Sequence, residues 1–319
     1  MRPPSFTDVL HARRTLARLL PPTPLWSYPV LDPGPAAALR LKLENTQPTG
    51  AFKVRGGLTL LAGMSDAERA RGIVGYSTGN HAQSLAYAAA RHGAPCVIVM
   101  PERPDPGKAR AVRALGAELV EYGETFDQAR PYAEKLAAER GMLLVSAANE
   151  PALVAGVATA YLEVFEQAPD TDTVIVPVGG GSGAAAACLV AAAVAPGCRI
   201  VAVQSDAAPA AYESWRAGGI VERPNRTRAA GLATGSGFEL TQAVMREGLH
   251  DFVLVSDDAI TAAQAELLAD AHVMTESAGA AALAALRTYP ERFAGRRVVL
   301  MCSGGNASED ELRRCLRVG

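Results

Sequence analysis

The feature of this sequence that most constrains its fold is a regular alternation of short apolar runs with longer segments rich in Ala, Leu, Glu and Arg. Most of the runs are almost continuously apolar, which is typical of strands covered by helices on both faces. We expect strands at residues 72–77, 95–100, 117–122, 142–146, 173–178, 199–204, 252–256 and 297–303. Repeated strand–helix units predict an α/β fold with mostly parallel, doubly wound sheets.

The number of strands favours two sheets over one closed barrel. A chain of 319 residues is long enough for one large or two ordinary α/β domains. A barrel would need an unbroken strand–helix period, and the first 45 residues and residues 205–250 lack it. Two packed domains are therefore predicted.

The composition excludes several classes of partner. A hydrophobic fraction of 49% and a charged fraction of 20% are those of a globular protein. The net charge of −2 gives no electrostatic reason to expect nucleic acid or an anionic membrane. The longest apolar run, residues 184–195, is shorter than the ~20 residues that span a bilayer. The N-terminus shows no secretory signal, and five scattered cysteines without CxxC spacing argue against a disulfide framework or zinc site. We expect a cytoplasmic protein.

A glycine-rich turn follows one of the expected strands. In "VPVGGGSGAAAA", residues 176–187, an apolar strand leads through small residues into an alanine-rich helix. Glycines let several backbone N–H groups converge on one anion, and a helix N-terminus adds about half a positive charge. The turn is neither a Walker motif nor a GxGxxG fingerprint with its later acidic residue. Because a simple turn needs fewer glycines, we interpret Gly179, Gly180, Gly181, Ser182 and Gly183 as a phosphate site.

A single lysine stands in an unusual context in "NTQPTGAFKVRGG", residues 45–57. A lysine is a nucleophile only when its amine is largely uncharged, which burial or neighbouring cations achieve by lowering its pKa. Around Lys53, Phe52 supplies an apolar neighbour, Arg55 a cation, and a helix start after Pro48 a positive dipole. In isolation, a lysine solvated at the surface would be the favoured interpretation. A lysine of lowered pKa and a phosphate site are together what pyridoxal phosphate requires of its enzyme, so the two motifs predict this cofactor.

A second turn, in "YSTGNHAQSLAYAA", offers polar groups where the strand at 72–77 gives way to a helix. Hydroxyl and backbone N–H groups in this position suit a carboxylate, and the Asn80 amide can donate to a ring oxygen. Taken alone, the pattern also fits an ordinary helix cap by Ser77 or Thr78. The candidate residues are Ser77, Thr78, Gly79, Asn80 and His81.

Two further turns carry weaker signals. In "CSGGNAS", Ser303 offers one neutral hydroxyl at the tip of the last strand, and the two glycines after it allow close backbone approach. In "MTESAGAAALAAL", Glu276 precedes an alanine-rich helix. Capping of that helix is the simplest account of Glu276.

Five ordered motifs resemble the fold-type II pyridoxal-phosphate enzymes, above all the threonine/serine dehydratases and serine racemase. They are "TGAFKVRGG", "STGNHAQSLAYAA", "PVGGGSG", "TESAGAAALAAL" and "CSGGN", and the similarity covers essentially the whole chain. The resemblance implies two doubly wound, mostly parallel three-layer domains like those of the tryptophan synthase β subunit. It further implies a small, substrate-carboxylate domain at 48–145 and a large, cofactor-binding domain formed by 1–47 with 146–319.

The resemblance also implies roles for individual residues. Lys53 would form a covalent imine with pyridoxal 5'-phosphate and remove the substrate's Cα proton, and Ser77 and Thr78 would be catalytic with it. Asn80 would donate to the ring's phenolic oxygen, and Ser303 would meet the pyridine nitrogen. The residues implied around the cofactor are Phe52, Lys53, Asn80, Gly179, Gly180, Gly181, Ser182, Gly183, Glu276 and Ser303. Those implied around the substrate are Ser77, Thr78, Gly79, Asn80, His81 and Asn149.

The activity implied is that of an ammonia-lyase, or dehydratase, which converts a small 3-hydroxy amino acid such as threonine or serine to a 2-oxo acid and ammonia. Alternatives are a dehydratase of the hydroxyectoine-utilisation type and a serine or threonine racemase. Racemases have a serine where this chain has Thr78, and many dehydratases have alanine there. A protein that binds a phosphate ligand without chemistry is the alternative from another class.

Other departures from the family pattern affect the metal and the substrate. Gln204 and Ala210 stand where metal-dependent relatives carry carboxylates, so we expect no metal site. Ala230 stands where dehydratases often have an aspartate near the substrate hydroxyl. The resemblance implies a homodimer acting on a small amino acid. Because the chain ends at Gly319, soon after "CSGGN", we expect no isoleucine feedback.

Overall fold

Apolar runs and amphipathic segments fold into alternating strands and helices in this computed structural model, which describes residues 2–31, 34–124 and 126–317. The strands in these residues are β1 (Leu25–Trp26), β2 (Ala38–Leu43), β3 (Ile73–Tyr76), β4 (Cys96–Met100), β5 (Glu118–Glu121), β6 (Leu143–Val145), β7 (Thr173–Pro177), β8 (Arg199–Ser205), β9 (Asp251–Val255) and β10 (Arg297–Cys302). The α-helices are α1 (Phe6–Leu16), α2 (Val54–Gly63), α3 (Asp66–Arg71), α4 (Asn80–His92), α5 (Pro106–Ala114), α6 (Phe126–Arg140), α7 (Pro151–Gln167), α8 (Ser182–Val194), α9 (Ala210–Ala217), α10 (Glu239–Gly248), α11 (Asp257–Ala269), α12 (Ser277–Thr288) and α13 (Glu309–Cys315).

The strands form two mostly parallel sheets, one in each of two domains. The larger sheet has the order β1-β2-β10-β7-β8-β9, and only β1 runs antiparallel to its neighbour. The smaller sheet has the order β5-β4-β3-β6 and is parallel throughout. The predicted α/β fold with two parallel sheets is confirmed. The predicted domain boundaries stay a prediction.

Both faces of each sheet are covered, which explains the continuous apolar runs. In β10, Val298 and Leu300 face a core shared with α11 and α12, whereas Val299 and Met301 face a second core shared with α7 and α8. Successive side chains of a strand point to opposite faces, so every position must be apolar. In β3, Ile73 and Val74 are divided in the same way between the two cores of the smaller sheet.

All eight predicted strands are present, with ends that differ by no more than one residue. Strands β1 and β2, within the first 45 residues, were not predicted. The sequence of β2, "ALRLKL", interrupts its apolar residues with Arg40 and Lys42. Lys42 is nevertheless buried, because its Nζ lies 2.7 Å from a carboxylate oxygen of Glu163 on α7. None of the helices described is both long and apolar enough to cross a membrane.

Candidate active site

A cavity of about 600 Å³ is formed where the turns after β3, β7 and β10 meet. This is where parallel sheets place ligands, and the volume is typical of small-molecule sites. Every residue that we predicted around the cofactor or the substrate lines this cavity, with the exception of Asn149. Asn149 lies beside it, where its side-chain oxygen accepts a hydrogen bond from the backbone N–H of Leu240 at 3.2 Å.

The glycine-rich turn joins the end of β7 to the first turn of α8. Gly181 has φ +89°, a left-handed conformation that favours glycine. A Cβ on Gly179 would lie 2.4 Å from the carbonyl oxygen of Gly231, so no side chain fits there. The first N–H groups of a helix have no acceptor within the helix. The turn therefore offers backbone donors and a positive helix end to an anion.

The amine of Lys53 reaches this turn from the other side of the cavity. Its Nζ donates to the hydroxyl oxygen of Ser182 at 2.6 Å and lies 5.1 Å from the centre of the Phe52 ring. Lys53 occupies the residue before α2 and is half-buried. The loss of hydration lowers the pKa of Lys53 from 10.5 to about 8. The structure thus brings an amine of lowered pKa to the glycine-rich turn, and its role as a nucleophile stays a prediction.

The expected contribution of Arg55 to this pKa is wrong. The Arg55 guanidinium is buried and forms ion pairs with Glu44 at 2.8 Å and with Glu163 at 2.7 Å. Two carboxylates therefore neutralise it, and the lowered pKa of Lys53 is explained by burial. The sequence could not show this, because Glu163 lies more than 100 residues away.

The turn after β3 leads into α4. Gly79, and neither Ser77 nor Thr78, occupies the capping position of this helix, and no side chain caps it. The ordinary helix cap is therefore wrong as an account of these hydroxyls. Ser77 accepts a hydrogen bond from the backbone N–H of Gly79 at 3.2 Å, and Thr78 is exposed to the cavity. His81 is buried, and burial together with the charge of Lys53 lowers its pKa to about 3, so the imidazole is neutral.

Glu276 does not cap its helix either. It precedes α12, but its side chain accepts a hydrogen bond from the Asn80 amide at 2.5 Å instead of one from the helix. Burial raises the pKa of Glu276 to about 7; the charge of Lys108 acts against this rise, and Glu311 adds to it. Capping as the sole role of Glu276 is wrong, and the carboxyl group lies in the cavity wall beside Ser303.

Several residues in and around the cavity were not predicted, among them Lys108 and Asn306. Lys108 lines it, and a Cβ on Gly79 would lie 3.7 Å from the Lys108 Nζ. The turn after β4 could have suggested it by the same rule that singled out the other strand ends. Asn306 stands behind the wall and donates to the side-chain oxygen of Asn80 at 2.8 Å. It belongs to the quoted "CSGGN" motif, yet nothing in the sequence indicates this contact.

The residues present fit pyridoxal phosphate. A cradle of backbone donors that excludes side chains suits its phosphate, and an amine with a lowered pKa faces the same cradle. The hydroxyl of Ser303 and the amide of Asn80 line the remaining wall, where they can meet polar atoms of an aromatic ring. Apart from Asn149, the residues of the predicted site are thus available on one cavity surface.

Comparison with known proteins gives the same picture. A family model described as pyridoxal-phosphate dependent enzyme matches residues 16–304. An L-threonine ammonia-lyase of Thermotoga maritima is 34% identical over 99% of this chain and 79% of that protein. A beta-hydroxyaspartate dehydratase of Paracoccus denitrificans is 33% identical over 97% of this chain and 98% of that protein. The solved structure of maize serine racemase matches with a TM-score of 0.93 and 28% identity, over 99% of this chain and 98% of that one. The chain therefore belongs to the family of pyridoxal-phosphate-dependent enzymes.

Proposed function

We propose that this enzyme is an ammonia-lyase that removes the α-proton and the β-hydroxyl of a small 3-hydroxy amino acid, giving a 2-oxo acid and ammonia. The observation that carries the proposal is the amine of Lys53, which lies 2.6 Å from Ser182 at the glycine turn and has a pKa of about 8. The relatives described above include enzymes named as a threonine ammonia-lyase and a hydroxyaspartate dehydratase.

The chain's own residues supply binding and proton transfer. Pyridoxal phosphate, when bound, supplies an electron sink for the charge that develops at Cα. Gly179 to Gly183 would hold its phosphate, and Asn80 and Ser303 would meet the polar atoms of its ring. The Lys53 Nζ can hold or release a proton near neutral pH, which suits a base that removes the Cα proton.

The substrate carboxylate would bind at the N-terminus of α4. Ser77 and Thr78 line the cavity there, and the helix end favours a negative charge. The ammonium group of Lys108 lies beside the backbone of Gly79 and adds a positive charge. Together these groups orient the amino acid with its Cα toward Lys53.

The candidate hydroxy amino acids differ in their side chains, and the residues that line the cavity bear on which of them binds. Arg103 and Lys108 both line the cavity, and the ion pairs found in the described part of the chain include neither. Lys108 is already assigned to the α-carboxylate, so Arg103 is the cation that suits a second carboxylate, as in 3-hydroxyaspartate. We therefore include this substrate beside serine and threonine.

Racemisation is a second candidate because a hydroxyl stands at Thr78. The Thr78 side chain is exposed in the cavity, where it could exchange a proton with Cα. Elimination needs only one base, so Thr78→Ala should retain 2-oxo acid formation and lose any inversion at Cα. If Thr78→Ala abolished both reactions equally, loss of its contact with the substrate carboxylate would explain both effects, and a role of Thr78 in proton transfer would be refuted.

The test is a panel of L- and D-serine, L- and D-threonine and 3-hydroxyaspartate. Release of 2-oxo acid and inversion at Cα are followed in parallel for the wild type, Lys53→Ala and Lys135→Ala. Lys135 is exposed on α6 and lies far from Lys53 in the sequence, so its variant is the matched control. Lys53→Ala should lose turnover and the lysine-linked chromophore, and Lys135→Ala should keep both.

The result that contradicts the proposal is a coloured, folded enzyme that releases no 2-oxo acid from any member of the panel. Inversion without release would favour the racemase. Family membership already sets aside the phosphate-binding protein without chemistry that the sequence left open.

We also propose a cytoplasmic homodimer with a small domain at residues 48–145. Strands β3 to β6 all fall in that range and form a sheet of their own, which supports the boundaries. All five cysteines are free thiols, as suits a reducing compartment. The dimer rests on the family resemblance, and light scattering after gel filtration tests it.

A further inference from the structure

Asn306 lies behind the cavity wall, on the loop that follows β10. Its side-chain nitrogen donates one hydrogen bond to the backbone carbonyl of Thr49 and one to the side-chain oxygen of Asn80, both at 2.8 Å. Asn80 in turn donates to Glu276 at 2.5 Å. One amide thus connects the loop before Lys53 with the start of α4.

These contacts determine how two amides are oriented. An amide oxygen only accepts and an amide nitrogen only donates, and a backbone carbonyl only accepts. The Thr49 carbonyl therefore selects the nitrogen of Asn306, and that nitrogen selects the oxygen of Asn80. The side-chain nitrogen of Asn80 therefore faces Glu276 and the cavity. We propose that Asn306 is a positioning residue that fixes which end of the Asn80 amide faces the cavity.

Glu276 is unable to fix this orientation on its own. A carboxylate accepts a hydrogen bond from an amide nitrogen, whereas a protonated carboxyl group can donate one to an amide oxygen. Burial raises the pKa of Glu276 to about 7, so both forms exist near neutral pH. Glu276 therefore accommodates either end of Asn80, and the selection comes from Asn306.

Two glycine backbones pack closely against these side chains. Gly50 has φ +68°, and a Cβ on it would lie 2.6 Å from the side-chain oxygen of Asn306. A Cβ on Gly304 would lie 2.5 Å from the Glu276 carboxylate and 3.2 Å from the Asn80 nitrogen. A mismatch at Asn306 is therefore relieved by rotation of the Asn80 amide, which turns its oxygen toward the cavity.

This inference rests on the proposed function, in which Asn80 donates to the ring hydroxyl of pyridoxal phosphate. If the amide is inverted, an oxygen faces that group and disfavours its ionised form. The absorbance of the lysine-linked cofactor reports this ionisation. A hydrogen bond to a charged group is also lost, and we expect cofactor affinity to fall about tenfold or more.

The experiment compares Asn306→Asp, Asn306→Ala and Asn45→Asp with the wild-type holoenzyme. Asn306→Asp keeps the shape but places an oxygen against two acceptors, whereas Asn306→Ala only removes the donor. Asn45→Asp is the matched control, because the Asn45 amide also donates to a backbone carbonyl, that of Met274 at 3.1 Å, and does not contact Asn80. The measurements are the absorbance spectrum from pH 6 to 9 and the dissociation constant of pyridoxal phosphate.

We expect the spectrum to change most in Asn306→Asp, less in Asn306→Ala, and not in Asn45→Asp. A role limited to filling space would reverse the first two, since alanine leaves a gap and aspartate does not. An unchanged Asn306→Asp spectrum, or a larger change in Asn306→Ala, overturns the inference. If Asn306→Asp does not fold, an unchanged spectrum of Asn306→Ala overturns it. A wild type that never acquires the chromophore overturns the proposed function as well, which separates the two failures.

Discussion

Removal of the cofactor should leave Lys53 as an unusually reactive amine near neutral pH. Its pKa of about 8 means that roughly one molecule in ten carries a neutral amine at pH 7. A lysine with the ordinary pKa of 10.5 is neutral in roughly one molecule in 3,000. The neutral fraction therefore rises about 300-fold.

Lower basicity also makes a neutral amine less nucleophilic, and this offsets part of the gain. With a Brønsted slope of about 0.4–0.5, as found for thiols, the offset is on the order of tenfold to twentyfold. The net expectation is that Lys53 reacts roughly 20-fold faster at pH 7 in the folded apoprotein than in the same chain unfolded by urea. The rate should reach half its maximum near pH 8.

The assay is competitive acylation with a trace of acetic anhydride, read by mass spectrometry of peptides. The chain has only four lysines, so the peptide that contains Lys53 is assigned without ambiguity. The unfolded chain supplies the reference for the same residue. A half-maximum near pH 10.5 in the folded protein, with no gain in rate at pH 7, would refute burial of this amine.

Substitution of Phe52 separates two effects on this pKa. A cation–π contact at 5.1 Å stabilises a desolvated charged amine by about 2 kcal/mol, which is roughly 1.5 pH units. Burial acts in the other direction and is larger, since it takes the pKa from 10.5 to about 8. Phe52→Ala admits water and should raise the half-maximum, whereas Phe52→Leu keeps the site apolar but removes the ring, and should lower it by up to roughly 1.5 pH units. Equal effects of both variants would contradict this.

Three other perturbations have defined outcomes. Glu163→Gln removes one of the carboxylates that neutralise Arg55 and should lower the free energy of unfolding by about 3–5 kcal/mol in urea titrations; a loss below 1 kcal/mol would contradict a buried ion cluster. Gly179→Ala places a methyl group against the carbonyl of Gly231 and should weaken pyridoxal phosphate binding at least tenfold by absorbance titration, while an unchanged affinity would mean that the turn can yield. His81, with a pKa of about 3 in the folded chain and 6.5 as its ordinary value, takes up a proton first in the unfolded state, so stability should fall as pH drops below about 6.5. His81→Gln should reduce this slope, and an identical slope would contradict it.

The strands could be predicted from sequence because their burial is a local property. Val298 and Val299 are both apolar because helices cover both faces of β10, and no distant residue is needed to recognise this. The charged strand β2 is different. Lys42 can be buried because its Nζ donates to Glu163 and to the carbonyl of Thr23, and the pairing with Glu163 joins residues 121 positions apart. A local pattern of hydrophobicity does not identify such a distant partner.

The same limit explains which parts of the site were missed. Lys53 and the glycine turn were predicted because each signal lies within a few residues. Local rules assigned Glu276 to helix capping and Arg55 to an unpaired charge, and both interpretations are wrong; only the family resemblance placed Glu276 at the cofactor site. In the structure each is committed to a residue on a distant segment. Asn306 was missed for the same reason, since its contact with Asn80 spans 226 positions.

The buried ion cluster of Arg55, Glu44 and Glu163 prevents the pKa of Lys53 from falling further than burial alone lowers it. Arg55 is only two residues from Lys53 in sequence, and an unpaired guanidinium near the amine would lower its pKa further and keep it largely neutral. A base must also hold the proton that it removes, so its pKa is best placed near the working pH. Glu44 and Glu163 cancel the charge of Arg55 and leave burial to set the value at about 8. The cluster thus holds the start of α2 in place, and because its charges cancel, Arg55 does not lower the pKa of Lys53.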